Sequence, residues 1–152
     1  MFCYFMIGIK NILILFVFYN KHSYLLLDKH MTTIDSIHEV IKLANLINSQ
    51  NDEREILAKV LTQSPEELSL WEFLNSLSDH HTIVIRNLMY VGGLLNTMDM
   101  TFMDYYNHLS TSLEANRRKA IEKIYEKYPC IPQYLTKAID FAKDANIDIN
   151  SL

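Results

Sequence analysis

Residues 64–93 read SPEELSLWEFLNSLSDHHTIVIRNLMYVGG, and this stretch decides the fold class. Ser64 can accept from first-turn N–H groups, Pro65 stands where a missing N–H does no harm, and Glu67 completes a capping box. The spacing predicts a helix that buries Leu68, Trp71, Leu74 and Leu77, with Leu70 and Phe73 toward its margins. Asp79 is the expected cap of the next helix, whose apolar side is Ile83, Val84, Leu88 and Val91, widened by Ile85 and Met89. A helix apolar around most of its circumference belongs at the centre of a bundle. Gly92-Gly93 is then expected to supply the left-handed backbone that ends it.

The same period continues on both sides. Upstream, Ile34, Ile37, Val40, Ile41, Ala44 and Ile47 recur at three and four residues, and Ser36 with Glu39 has capping-box spacing. That helix should fade in the polar run Asn48–Asp52, and Ile56, Leu57, Val60 and Leu61 predict a short helix after it. Downstream of an Asn96-Thr97 loop, Phe102, Tyr106, Leu109 and Leu113 form a stripe that lapses and resumes at Ile121, Ile124 and Tyr128. Either one long helix with a solvated middle or two helices broken near Asn116 satisfies that pattern. Pro129 ends it, because proline disfavours helix in the residue before it. Ile131, Leu135, Ala138, Ala142 and Ala145 make the seam of a last helix closing near Asn146. No segment holds a period of two between turn signals. The expectation is an all-α, bundle-like domain of five or six helices over residues 31–152.

Composition agrees with one folded domain: 152 residues, 49% hydrophobic and 21% charged, are enough for a core. Only 3 Gly and 3 Pro argue against a sandwich with a tight turn between every pair of strands. Residues 1–30 differ from the rest. Within residues 1–19, MFCYFMIGIKNILILFVFY, only Gly8, Lys10 and Asn11 are not apolar. Lys10, Lys21 and Lys29 against Asp28 make residues 1–30 net +2, leaving −6 for the remainder of a chain whose total is −4. Three readings are open. As a membrane anchor the run has roughly the 20-residue span required, with Lys10 costing about 2.5–3.5 kcal/mol at its centre. As a secretory signal it lacks a small-x-small cleavage site. As a mis-assigned start, it ends where Met31 leads straight into the acidic amphipathic helix. Without the segment the chain is expected in the cytoplasm, with Cys130 reduced; with it, at an inner membrane.

The sequence excludes several chemistries. After Met31 only Gly92 and Gly93 remain, so a glycine-rich phosphate loop has no material. There is no Gly-x-Ser-x-Gly elbow, no His-Glu-x-x-His and no Cys-x-x-Cys. Cys3 and Cys130 cannot build a disulfide framework or a cysteine-ligated zinc site. A net charge of −4 gives no reason to expect nucleic acid as a partner. Four residues are candidates for a metal: His80 and His81 beside Asp79, and Asp104 and His108 four apart on one predicted face. Their plainer reading is a helix cap, solvated histidines and a surface contact. Cys130 between Pro129 and Pro132 is either a reactive thiol or a buried one, and Trp71 either an interface anchor or core. Arg117-Arg118-Lys119, Lys123 and Lys127 form a basic patch, but Glu114, Glu122 and Glu126 interleave it, and Glu114 with Arg118 has the order of a helix-surface pair. The nine tyrosines, Tyr105-Tyr106 among them, either line a partner surface or reflect a composition rich in Ile, Asn, Lys and Tyr.

Two stretches carry a resemblance. Phe73-Leu74, Leu77, Val84-Ile85 and Leu88-Met89-Tyr90-Val91-Gly92 are followed later by Ile124-Tyr125, Pro129, Ile131, Tyr134-Leu135 and Ala138-Ile139. Together, over residues 65–142, these look like a small bacterial all-helical family, a domain of unknown function (serial 3775). The resemblance implies a helical fold and brings no active site and no cofactor. The chain departs from it after Gly92, where Gly93-Leu94-Leu95 replaces a charged Arg-Gly-Asp-like continuation. The function expected is a non-catalytic module acting through a protein partner or as a homo-oligomer. The alternatives are a metal-dependent hydrolase using the His/Asp residues, or a membrane-tethered form of the module.

Overall fold

The computed structural model of the chain describes residues 31–51, 63–94 and 100–152, with the side chains of residues 50 and 51 left aside. Almost all of them belong to one compact unit, Thr32–Leu152. Among the described residues the fold is all-α, with no strand: α1 (Thr33–Asn51), α2 (Pro65–Ser76), α3 (Asp79–Leu94), α4 (Phe102–Ser112), α5 (Arg117–Glu126) and α6 (Ile131–Asp144), then a 3-10 turn, Ile149–Ser151. None of these helices is long and apolar enough to cross a membrane. The readings of residues 1–30, the expected helix of Ile56, Leu57, Val60 and Leu61, and the Asn96-Thr97 loop lie outside the described residues.

Hydrogen bonds at the helix ends fix the topology. At one end of the bundle, Asn48 of α1 donates to the Pro129 carbonyl (3.2 Å) and Gln63 donates to the Tyr125 hydroxyl (2.8 Å). At the other end, Ile34 N–H donates to Asn150 Oδ1 (3.1 Å), and Arg117 donates to the Asn75 and Leu77 carbonyls (2.6 and 3.1 Å). Helices α1, α2, α5 and α6 therefore alternate in direction. Helix α3 packs against α1, α4, α5 and α6, which makes it the centre. Leu70, Phe73, Leu74, Ile85, Leu88, Met89, Ile124, Ile131 and Leu135 are all at most 1% exposed. Burying each such side chain is worth about 1.5–3 kcal/mol.

Local signals are obeyed where the cap is local. Glu67 N–H donates to Ser64 Oγ (3.0 Å) and Ser64 N–H to Glu67 Oε2 (2.7 Å), the box expected at the start of α2. Asn116 caps α5 by accepting from Lys119 N–H (3.0 Å), so the lapsing stripe is two helices. Helix α6 closes at Asn146, whose φ is 55°. Ile147 N–H donates back to the Ala142 carbonyl (2.8 Å) and Asn146 N–H to that of Lys143 (3.0 Å), the paired bonds of a Schellman end.

Five expectations are corrected. The box that opens α1 is Thr32 with Asp35: Asp35 N–H donates to Thr32 Oγ1 (3.2 Å) and Thr32 N–H to Asp35 Oδ2 (3.2 Å). Ser36 cannot serve because it faces the core and its hydroxyl donates to the Thr32 carbonyl (3.0 Å). Thr32's hydrogen bonds hold the Asp35 carboxyl below its ordinary value. On α2 the buried stripe is Leu70, Phe73, Leu74 and Leu77, while Leu68 is 42% exposed and Trp71 half-buried. A run of +3 steps turns by about 60° at each step, so Leu68 and Leu77 face opposite sides. Ser78, not Asp79, caps α3, accepting from His81 N–H (3.2 Å); Asp79 pairs with Arg117 (3.4 Å). Ala145, expected in the last seam, is exposed.

The fifth correction concerns Gly92 and Gly93. Both are helical, and neither has a positive φ. A Cβ on Gly92 would collide with the Tyr134 carbonyl oxygen and lie 2.7 Å from its carbon. Gly92 is there so that α3 and α6 can meet backbone to backbone. A Cβ on Gly93 would touch only the Tyr134 ring, at 3.4 Å, an ordinary contact.

Candidate functional site

The residues that could carry chemistry are mostly engaged in holding helix ends. Asp104 is the third residue of α4, where its carboxylate accepts from the Thr101 N–H (3.3 Å) and hydroxyl (2.6 Å). His108 is exposed on the same helix. His80 is exposed at the start of α3, and the half-buried His81 lies beside it, ring centroids 5.8 Å apart, with its Nδ1 3.5 Å from Ser36 Oγ. Among the described residues no group of three or more His, Cys, Asp or Glu could hold a metal ion, so these four candidates are not brought together as ligands. Cys130 is a half-buried free thiol preceding α6. The basic patch resolves into pairs on its own face: Arg118 with Glu122 (3.0 Å), Lys123 with Glu126 (2.7 Å) and Lys119 with Glu114. Glu114 thus pairs with Lys119, where the spacing had suggested Arg118.

Arg86 escaped the sequence reading altogether. It is 4% exposed in the middle of α3. Its Nη1 donates to the Glu114 carbonyl (2.7 Å), and Nε and Nη2 donate to Asn87 Oδ1 (3.2 and 2.9 Å). Asn87 Nδ2 donates to Ser110 Oγ (3.1 Å), which donates to the Tyr106 carbonyl (2.8 Å). Burial pushes the guanidinium down from its ordinary value, against the pull of Tyr90 and Tyr106, and pushes the Tyr106 phenol up. The network ties the end of α4 to α3. A cation placed on the carbonyls that follow a helix favours that helix end. Tyr105 and Tyr106, candidates for a partner surface, are buried instead.

The surface that remains is aromatic. Trp71 on α2 meets Tyr125 on α5 edge to face, with centroids 5.2 Å apart and planes at 79°, and Tyr125 stands 6.1 Å from Tyr128. All three are half-buried, and exposed Leu68 precedes Trp71 by one turn. The Tyr125 phenol is pushed up, chiefly by burial, although the hydrogen bond from Gln63 works the other way. The Tyr128 hydroxyl reaches toward Glu67 Oε1 at 3.5 Å. Sequence reasoning assigned Trp71 to the core because it followed the +3 run. The capping box at Ser64 and a 100° step per residue would have turned it to the flank. A concavity of about 280 Å³ is lined by Ile34, Ile139 and Ile147, with Lys143 and Asp148 beside them.

No family model, no curated protein and no solved structure matches the chain.

Proposed function

We propose that the chain is a small non-catalytic helical module that acts through protein–protein contact. The observation that carries this reading is the seam of Trp71, Tyr125 and Tyr128, half-exposed between two helices with Leu68 beside it. Tryptophan and tyrosine are enriched where binding energy concentrates at interfaces, because they bury a large apolar area at little rotamer cost. The engagement of Asp79, Asp104, Arg86 and Arg117 in helix ends and ion pairs supports a structural role for the polar groups. We further propose that the module works in the cytoplasm, where the Cys130 thiol would stay reduced.

The test is site-specific photo-crosslinking in cells, with the probe at Leu68 in the full chain and a control probe at exposed Thr111 of α4. A discrete crosslinked protein from Leu68 and none from Thr111 is the expected result. Equal, diffuse labelling from both positions overturns the proposal, as does stoichiometric metal in elemental analysis of the purified protein.

A further inference from the structure

We propose that α4 is a lid, a helix that lifts off α3 as a unit while the remaining described helices stay packed. Among the described helices, α1, α2, α3, α5 and α6 each pack against at least two others, whereas α4 packs extensively against α3 alone. Phe102 also meets Phe141 of α6, edge to face with ring centroids 5.6 Å apart. Both ends of α4 are finished locally. Asp104 N–H donates to Thr101 Oγ1 (3.2 Å) and Leu113 N–H to the Leu109 carbonyl (2.9 Å), so the helix keeps its end bonds when it moves. Beyond it, α5 carries its own cap at Asn116 and is anchored to the end of α2 by Arg117. The movement can therefore stop at Glu114 and Ala115.

What holds the lid shut is a mixed seam. Phe102, Tyr105, Tyr106 and Leu109 are buried. From α3, Asn87 donates to Ser110 Oγ (3.1 Å) and Arg86 to the Glu114 carbonyl (2.7 Å), and the Tyr105 hydroxyl donates back to the Leu94 carbonyl (3.4 Å). Arg86 is the unusual member. Its guanidinium is held by a carbonyl and an amide, with no carboxylate on it among the described residues. A buried charge regains its hydration when it is uncovered, which returns part of what the apolar contacts lose. An all-apolar seam of the same area would give nothing back. Opening is then a minority excursion that costs well below global unfolding.

Native-state hydrogen exchange on the full chain, in urea below the unfolding transition, tests the lid. Amides in the middle of α4 should exchange at least about tenfold faster than those of α3. Their urea dependence should be shallower, because opening exposes less surface than unfolding. A pair of variants separates opening from unfolding. Arg86→Ala strands Asn87 Oδ1 only while the lid is shut, and should quicken exchange in α4 about thirtyfold or more. Arg117→Ala removes contacts to α2 and Asp79 that survive opening. It should quicken the α3 amides about fivefold and leave those of α4 unchanged. Matching rates and urea slopes in α3 and α4 overturn the proposal, as does an Arg117→Ala effect equal in both helices. So does a folded Arg86→Ala protein whose α4 exchange is unmoved. Where Arg86→Ala fails to fold, the wild type and Arg117→Ala decide alone. A rigid α4 leaves the contact surface of α2 and α5 as it was.

Discussion

Helix α3 is enclosed on four sides, whereas α5 turns Arg118, Lys119 and Lys123 to solvent, yet one arginine on each performs the same task. Neither α2 nor α4 has a basic residue in its last turn. Arg117 of α5 supplies the cation at the end of α2, and Arg86 of α3 supplies it just beyond the end of α4. The surroundings differ. The Arg117 side chain is 32% exposed and pairs with Asp79; Arg86 is 4% exposed and is held by a neutral amide and a carbonyl. A buried cation without a carboxylate persists here because the acceptors are fixed in place and leave little to reorganise. Outside, the same chemistry is shared with water and costs little to lose.

The comparison can be broken most violently where α3 touches α6. Gly92→Ala drives a methyl group into backbone that cannot step aside, and should cost about 3 kcal/mol or more despite alanine's better helix propensity. Gly93→Ala is its control and should be neutral or stabilising by up to about 1 kcal/mol. Urea unfolding of the two variants side by side decides it. Next comes Arg86→Ala, which strands Asn87 Oδ1 in the interior and takes the donor from the part-buried Glu114 carbonyl, and should cost about 2–3 kcal/mol, independent of salt. Arg117→Ala should cost about 1 kcal/mol, and the loss should shrink between low and high salt as the Asp79 pair is screened. Smallest is Arg118→Ala, which removes one exposed pair and should change the unfolding free energy by less than about 0.5 kcal/mol. An Arg117→Ala loss as large as that of Arg86→Ala would erase the distinction drawn between the two helices.

These outcomes bear on what the residues alone could tell. The start of α2 was legible because Ser64 and Glu67 are three apart and the box is complete without help from elsewhere. The helical class was legible from the period, and the break before Asn116 was one of two options the stripe allowed. Gly92 was not legible: a glycine pair near a helix end reads the same whether it turns the chain or admits a neighbour. What separates the two is the Tyr134 carbonyl, which belongs to a helix that must already be in place. Arg86 was hidden for a related reason. Its partners include a backbone carbonyl, and any residue at that position would have presented one. The aromatic seam was half legible: its residues stood out, but the rotation of α2 decided which of them faced outward.

The bond between Ile34 N–H and Asn150 Oδ1 spans a sequence separation of 116, nearly the whole compact unit. Its two extremities are therefore neighbours in space. A circular permutant joining Leu152 to Thr32 through a few glycines, and opened between Ala115 and Asn116, past the carbonyl that Arg86 holds, should keep every helix. Its folding should quicken if closing that long loop is the slow event, because the join performs the closure in advance.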